Sequence, residues 1–230
     1  MCGISGIVQF KNTFNTAEAV RKMNELMAHR GPDDEGFTLF NRTTPQCFYS
    51  EVTPQNVRES SFAFSPKQHL SSAQNNFEIA LAHRRLSILD LTPSGHQPMC
   101  ANDQKLWITF NGEVYNYIEL REELQAKGHV FLSNSDTEVI LAAYREFGTD
   151  CSKKLNGMWA FVIYDTSNEI LFCSRDRVGV KPFYYFIDEN KFLFASEQKA
   201  ILHSQLIAKK INKQSAFDYL SFNETEHHPQ

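Results

Sequence analysis

Cysteine is scarce in this chain: five residues in 230, with no C-x-x-C anywhere. A zinc ribbon and a thioredoxin-type site are thereby excluded, and scattered thiols, odd in number, point to a reducing, cytoplasmic setting rather than a secreted disulfide scaffold. The start, MCGISGIVQFK, lacks the basic segment and long apolar stretch of a secretory signal. No apolar run approaches the roughly 20 residues of a membrane helix, and the last residues form no prenylation box. Neither G-x-x-x-x-G-K-S/T nor G-x-G-x-x-G occurs, so no phosphate cradle of those types is expected. An excess of basic residues is missing too. Lys and Arg total 23 against 27 Asp and Glu, a net charge of -4, and no nucleic-acid partner is expected.

What is present suffices for a large core: 42% hydrophobic residues, with 19 Phe and 8 Tyr, in one large domain or two small ones. The first apolar run predicts a strand at Ile4–Phe10. Val20, Met23 and Met27 share one face of a helix expected over Ala17–Ala28. HRGPDDEG reads as a turn-rich loop. Residues 41–78 are polar and long, and are expected to be an irregular, mobile excursion holding a hairpin. ALAHRRLSIL predicts a strand, and KLWITFNGEVYN a strand leading into a turn. Helices are expected over Tyr117–Lys127, stopped by Gly128, and from an Asp136 N-cap to Phe147, stopped by Gly148. MWAFVIYD is apolar on both faces, so both should be covered. EILFCSRD, KPFYYFID and KFLFASE read as further strands, and short helices at Lys199–His203 and Gln214–Leu220 follow. Stacked sheets with helical cover, an α+β architecture, fit this pattern.

Cys2 stands out chemically. Removal of Met1 is expected because cysteine is small, and it would give Cys2 a free α-amine with a pKa of roughly 7.7–8.0. Such an amine can take the thiol proton and later protonate a leaving amine, so one residue supplies nucleophile and base. Taken alone, however, a Cys at position 2 is more often an inert thiol at a frayed end. Taken alone, Asn111-Gly112 is more often a hairpin turn.

The wider sequence changes that weighting. MCGISGIV, HRGPDDEG, LAHRRLSILDL, GHQPM, FNGEVYNYIELREEL, SDTEVILAAY, LNGMWAFVIYD and RDRVGVKPFYY occur in this order. Together they resemble the class II glutamine amidotransferase domain of asparagine synthetases, an N-terminal-nucleophile hydrolase. The likeness runs from Cys2 to about Leu202. It implies an αββα four-layer sandwich, with glutamine as substrate. It implies Cys2 as nucleophile, and Asn111 and Gly112 as the oxyanion hole. Arg85, Glu113 and Asp136, with backbone groups of Leu86 and Ile88, would bind substrate. Arg85 suits the α-carboxylate, since a guanidinium can grip it with two bonds. Glu113 and Asp136 would hold the α-ammonium, a role that competes with N-capping for the oxygens of Asp136. Strand alternation puts Arg84 and Arg85 on opposite faces, so only one can reach the site; Arg84 stands where the resembled family varies and is expected to be a surface charge. His29, Arg30, His83 and His96 are expected to be structural. Arg175, Asp176, Gly179 and Pro182 are expected to organise a loop, which the resemblance places near an ammonia route. The pair His227 and His228 is too small for a zinc site.

The resembled family continues into an ATP-binding domain marked by an S-G-G-x-D-S loop, absent from these 230 residues. Residues 1–205 are therefore expected to be the amidotransferase domain, and 206–230 the start of a connection to a synthetase domain. The glutaminase part is expected to need no cofactor and no metal, with ATP and Mg confined to that second domain. The partners expected are glutamine, the synthetase domain and, for the longer protein, a second copy forming a homodimer. A stand-alone or degenerate module serving a separate partner is the alternative, and so is an N-terminal-nucleophile hydrolase acting on other amides.

Overall fold

The structure, a computed structural model, describes residues 1–74, 76–88 and 90–223. In chain order the elements begin with β1 (Gly3–Gln9), α1 (Thr16–Glu25), β2 (Asp34–Asn41), β3 (Thr44–Tyr49), α2 (Gln55–Glu59), β4 (Gln68–His69) and β5 (Ile79–Arg85). They continue with β6 (Met99–Cys100), β7 (Leu106–Val114), α3 (Tyr117–Ala126), α4 (Asp136–Phe147), α5 (Cys151–Lys154), β8 (Gly157–Asp165) and β9 (Ile170–Arg175). The last are β10 (Tyr184–Ile187), β11 (Lys191–Ala195), α6 (Gln198–His203) and α7 (Lys213–Phe222).

Two sheets form. One has seven strands in the order β10-β11-β1-β5-β2-β3-β4, the other four in the order β6-β7-β8-β9. Period-two alternation decides what each face covers. On β1, Ile7 packs with Val20, Met23 and Met27 of α1 and its following turn, and with Ile201 of α6. Ile4 of the same strand joins the cluster between the sheets. Phe40 of β2 makes edge-on contacts there with Trp107 and Tyr164, at centroid distances of 5.7 and 4.9 Å. Beyond the second sheet, Val139, Ile140 and Ala143 of α4 and Leu120 and Leu124 of α3 are buried with Ile108 and Phe110. The layers therefore run helix, sheet, sheet, helix, the αββα sandwich that the resemblance implies.

Element ends follow local chemistry. Asn15 caps α1 by accepting the Glu18 N–H at 3.1 Å. Gly128 and Gly148, at φ +94 and +59, sit where α3 and α4 end. Four expectations are corrected. Ser135, not Asp136, caps α4, its hydroxyl accepting the Glu138 N–H at 3.3 Å, and Asp136 is the first helical residue. Arg84 is not a surface charge: it is buried and paired with Glu35 at 2.8 Å, on the α1 side of the first sheet. Residues 41–78 do hold a hairpin strand, but the excursion is packed rather than irregular. It buries Phe48, Val57, Phe64, Leu70 and Phe77; Asn75 lies outside the described residues. The strand expected to run to Leu89 ends at Arg85. Leu89 itself, and the pair His227 and His228, also lie outside the described residues.

Candidate active site

The ends of β1, β5 and β7 meet at one mouth of the sandwich. The side chains on β5 that look between the sheets are Leu81, His83 and Arg85, whereas Ala82 and Arg84 look toward α1. Thr109 of β7 reaches across to the Ala82 carbonyl at 3.0 Å, so Asn111 and Glu113, two and four residues on, face the same interior. All eight residues singled out in the sequence line a single cavity of about 80 Å³: Cys2, Arg85, Leu86, Ile88, Asn111, Gly112, Glu113 and Asp136. A roomier groove of about 320 Å³ beside α3 and α4 contains none of them.

The Cys2 thiol sits against the backbone of Leu86. The Leu86 N–H points at Sγ at 3.4 Å, and Sγ lies 3.6 Å from the Leu86 carbonyl. Burial raises the thiol above its ordinary pKa. The Leu86 N–H, the N-terminal ammonium, Arg85 and Lys181 pull the other way. Met1 lines the same cavity. The Cys2 carbonyl accepts from Arg30 Nε at 2.9 Å, and Arg30 in turn pairs with Glu197 at 3.2 Å.

Arg85 is anchored by the loop that follows it. Its guanidinium donates to the carbonyls of Asp90 and of Thr92, the latter at 3.3 Å. Gly95 makes room, since a Cβ there would overlap that guanidinium. Ile88 is largely exposed at the cavity rim.

Asn111 and Gly112 are strand residues, not a hairpin turn. Asn111 is buried, and among the described residues its Nδ2 has no hydrogen-bond partner. A buried donor left unmade costs about 1–3 kcal/mol, and this one lines the cavity of Cys2. Gly112 lies opposite Trp159, whose own N–H and C=O are engaged by Asp176 on the far side. The alternation of a strand therefore aims the Gly112 N–H at the other edge of β7. On that edge the Phe110 N–H donates to Gln97 Oε1 at 2.7 Å and the Val114 N–H to Asp136 Oδ2 at 3.0 Å. The Gly112 N–H lies between them, beside Asn111 Nδ2. A side chain at 112 is excluded, because a Cβ would run into the Met158 carbonyl.

Asp136 is buried beside Glu113. Burial, only partly offset by the Val114, Thr137 and Asp136 N–H groups and reinforced by Glu113, pushes its pKa up to about 6. The histidines have structural partners. His83 Nε2–H donates to the Phe110 carbonyl at 3.0 Å, and burial drives its pKa down to about 3. His96 Nδ1–H donates to Asp34 at 2.7 Å. Among the residues at or beside the site that were not picked out for it in the sequence are Arg30 and Lys181. Arg30 holds the Cys2 carbonyl, and Lys181 lines the cavity. For Lys181 the only sequence signal is its place in RDRVGVKP.

Comparisons with known proteins bear on the family. The family model described as "Glutamine amidotransferase domain" matches residues 67–230. A putative asparagine synthetase (glutamine-hydrolyzing) 2 from Methanocaldococcus jannaschii is 41% identical over 226 residues, covering 92% of this chain and 37% of the relative. Asparagine synthetase (glutamine-hydrolyzing) 1 from Bacillus subtilis is 36% identical over 225 residues, covering 96% of this chain and 30% of the relative. The chain thus spans about a third of the length of these two relatives. Among solved structures, a glutamine phosphoribosylpyrophosphate amidotransferase from B. subtilis, complexed with ADP and GMP, superposes with a TM-score of 0.69 at 20% identity. It covers 89% of this chain and 44% of that one, a likeness of fold. The family model covers residues 67–230 and the two relatives match more than nine-tenths of the chain, which shows that the chain belongs to the glutamine amidotransferase domain family.

Proposed function

We propose that this chain is the glutaminase half of an asparagine-synthetase-like amidotransferase. The observation that carries the reading is the unpartnered, buried Nδ2 of Asn111, adjacent to the Gly112 N–H and in one cavity with Cys2. With Met1 removed, the cavity widens and the α-amine of Cys2 becomes its neighbour. The neutral amine takes the thiol proton, and the thiolate attacks the side-chain carbonyl carbon of glutamine. The carbonyl oxygen becomes negative and is met by Asn111 Nδ2 and the Gly112 N–H. The ammonium so formed then protonates the leaving nitrogen, the C–N bond breaks, and ammonia departs from a γ-glutamyl thioester. Water hydrolyses that thioester to glutamate and restores the thiol.

Binding uses the polar rim. Arg85, pre-aligned by two backbone carbonyls, takes the α-carboxylate. Glu113 and Asp136 take the α-ammonium, and backbone groups of Leu86 and Ile88 close the near side. No step in this sequence calls on a nucleotide or a metal. The ammonia would serve ATP-dependent amidation of aspartate, or a related acceptor, in a synthetase domain of the kind that the longer relatives' names describe. Trapping tests the reading: the Met1-free chain mixed with an electrophilic glutamine analogue should gain one adduct, on the peptide that begins with Cys2. An adduct on any other cysteine would overturn it.

A further inference from the structure

The loop between β9 and β10 is RDRVGVKP, and its hydrogen bonds converge on one residue. The Asp176 carboxylate accepts the N–H groups of Val178, Val180 and Lys181, the last at 2.9 Å. Arg175 Nε donates to the Lys181 carbonyl at 2.7 Å, and Nη2 to that of Gly179 at 2.6 Å. Both backbone groups of Lys181 are thus fixed by charged side chains, and Asp176 is itself tied to the Trp159 N–H on β8 at 3.3 Å.

That investment delivers a lysine into the cavity of Cys2. Lys181 is 7% exposed and lines the cavity. Among the described residues its hydrogen bonds are those of its backbone N–H and carbonyl, and its ammonium makes none. The stem is buried while Nζ, which is not among the buried polar atoms without a partner, keeps access to the solvent of the cavity. Lys181 lines this cavity together with Cys2, and the carboxylates of Glu113 and Asp136 line it too.

We propose that Lys181 is a positioning residue of the reaction, its ammonium held beside Cys2 so that the thiolate form of Sγ is favoured when the thiol gives its proton to the α-amine. This rests on the reading of Cys2 as nucleophile. The S–H bond breaks and the proton passes to the neutral amine; Lys181 takes no part in the transfer. Arg85 adds a second positive charge on the β5 side, and Arg30 a third on the Cys2 carbonyl. His83 is held neutral, and Glu113 and Asp136 are the negative groups of the cavity.

The experiment is the pH dependence of Cys2 alkylation by iodoacetamide in the Met1-free chain, read by mass spectrometry of the N-terminal peptide. Burial pushes Cys47, Cys151 and Cys173 up to about 12, and Cys100 upward too, so they are poor competitors. Lys181→Met should shift the midpoint of the profile upward by about one unit, roughly a tenfold slower alkylation at pH 7. Lys181→Arg should keep the wild-type midpoint, and Lys181→Gln is read in place of Met if that variant does not fold. An unchanged midpoint in the neutral variant overturns the inference, and so does a raised KM for glutamine with an unchanged midpoint, which would make Lys181 a substrate clamp. Failure of the wild type to hydrolyse glutamine would instead overturn the proposed function, whatever the alkylation profile.

Discussion

Asp136 Oδ2 accepts the Val114 N–H at 3.0 Å and so ties the first turn of α4 to the open end of β7. The same carboxylate faces the cavity beside Glu113 and titrates near 6 because it is buried. Structure and binding therefore draw on one group.

Glutamine affinity should depend on the charge of Asp136. Its folded pKa is raised, so it is anionic above about 6 and neutral below. KM for glutamine should rise as pH falls through that value. Asp136→Asn keeps an oxygen for Val114 but loses the charge; KM should rise about ten- to a hundredfold at pH 7.5, the usual worth of a charged hydrogen bond. The step near pH 6 should vanish from its KM profile. Steady-state kinetics from pH 5 to 8 would check this. A step that persists in the variant would assign it to another group. The stability sign is opposite: a raised acid favours the folded state most when protonated, below about 3.8, and that contribution is lost as pH rises through about 6.

Asn111→Ala should lower kcat by about 10²–10³ with little change in KM, because the donor serves an oxygen that becomes negative only after attack. Removing Nδ2 breaks no hydrogen bond among the described residues, so the melting temperature should hold. Single-turnover kinetics and calorimetry would separate the two effects. A loss confined to KM would move Asn111 out of the oxyanion hole.

The legible parts of this chain were those whose rule is local. Apolar runs gave most strands, and Gly128 and Gly148 marked the ends of two helices. Period-two alternation put Arg85 between the sheets and Arg84 opposite. What local rules missed depends on partners far along the chain. Arg84 reads as solvent-facing until the β2–β5 register sets it across from Glu35. Asp136 reads as a cap until Ser135 takes that role and β7 brings the Val114 N–H to its carboxylate. The polar flanks of residues 41–78 conceal five buried apolar anchors. Lys181 carries no signature of its own, since Asp176 and Arg175 decide where it points.

Arg84→Ala should be strongly destabilising. The pair with Glu35 is 5% and 3% exposed, and loss of one partner strands a carboxylate that burial already holds above its ordinary pKa. Breaking such a pair costs about 3–5 kcal/mol, against a few tenths for a surface charge. Urea titration measures it. A change under 1 kcal/mol would mean that solvent reaches the pair.

Retention of Met1 should silence the site. An N-terminal extension that blocks processing leaves Cys2 without a free amine and keeps Met1 in the cavity that it lines. Ammonia release should fall to the background rate, while the fold is unaffected because Met1 is exposed. Intact mass confirms the processing state, and an active, unprocessed preparation would exclude the α-amine as the base.

Ammonia release from glutamine by the Met1-free chain, with EDTA present and no nucleotide, tests the central claim most directly. The account predicts slow, steady release of one ammonia per glutamate, lost in Cys2→Ala at unchanged thermal stability. Release by Cys2→Ala at the wild-type rate, or release strictly dependent on ATP or a divalent metal, would contradict it.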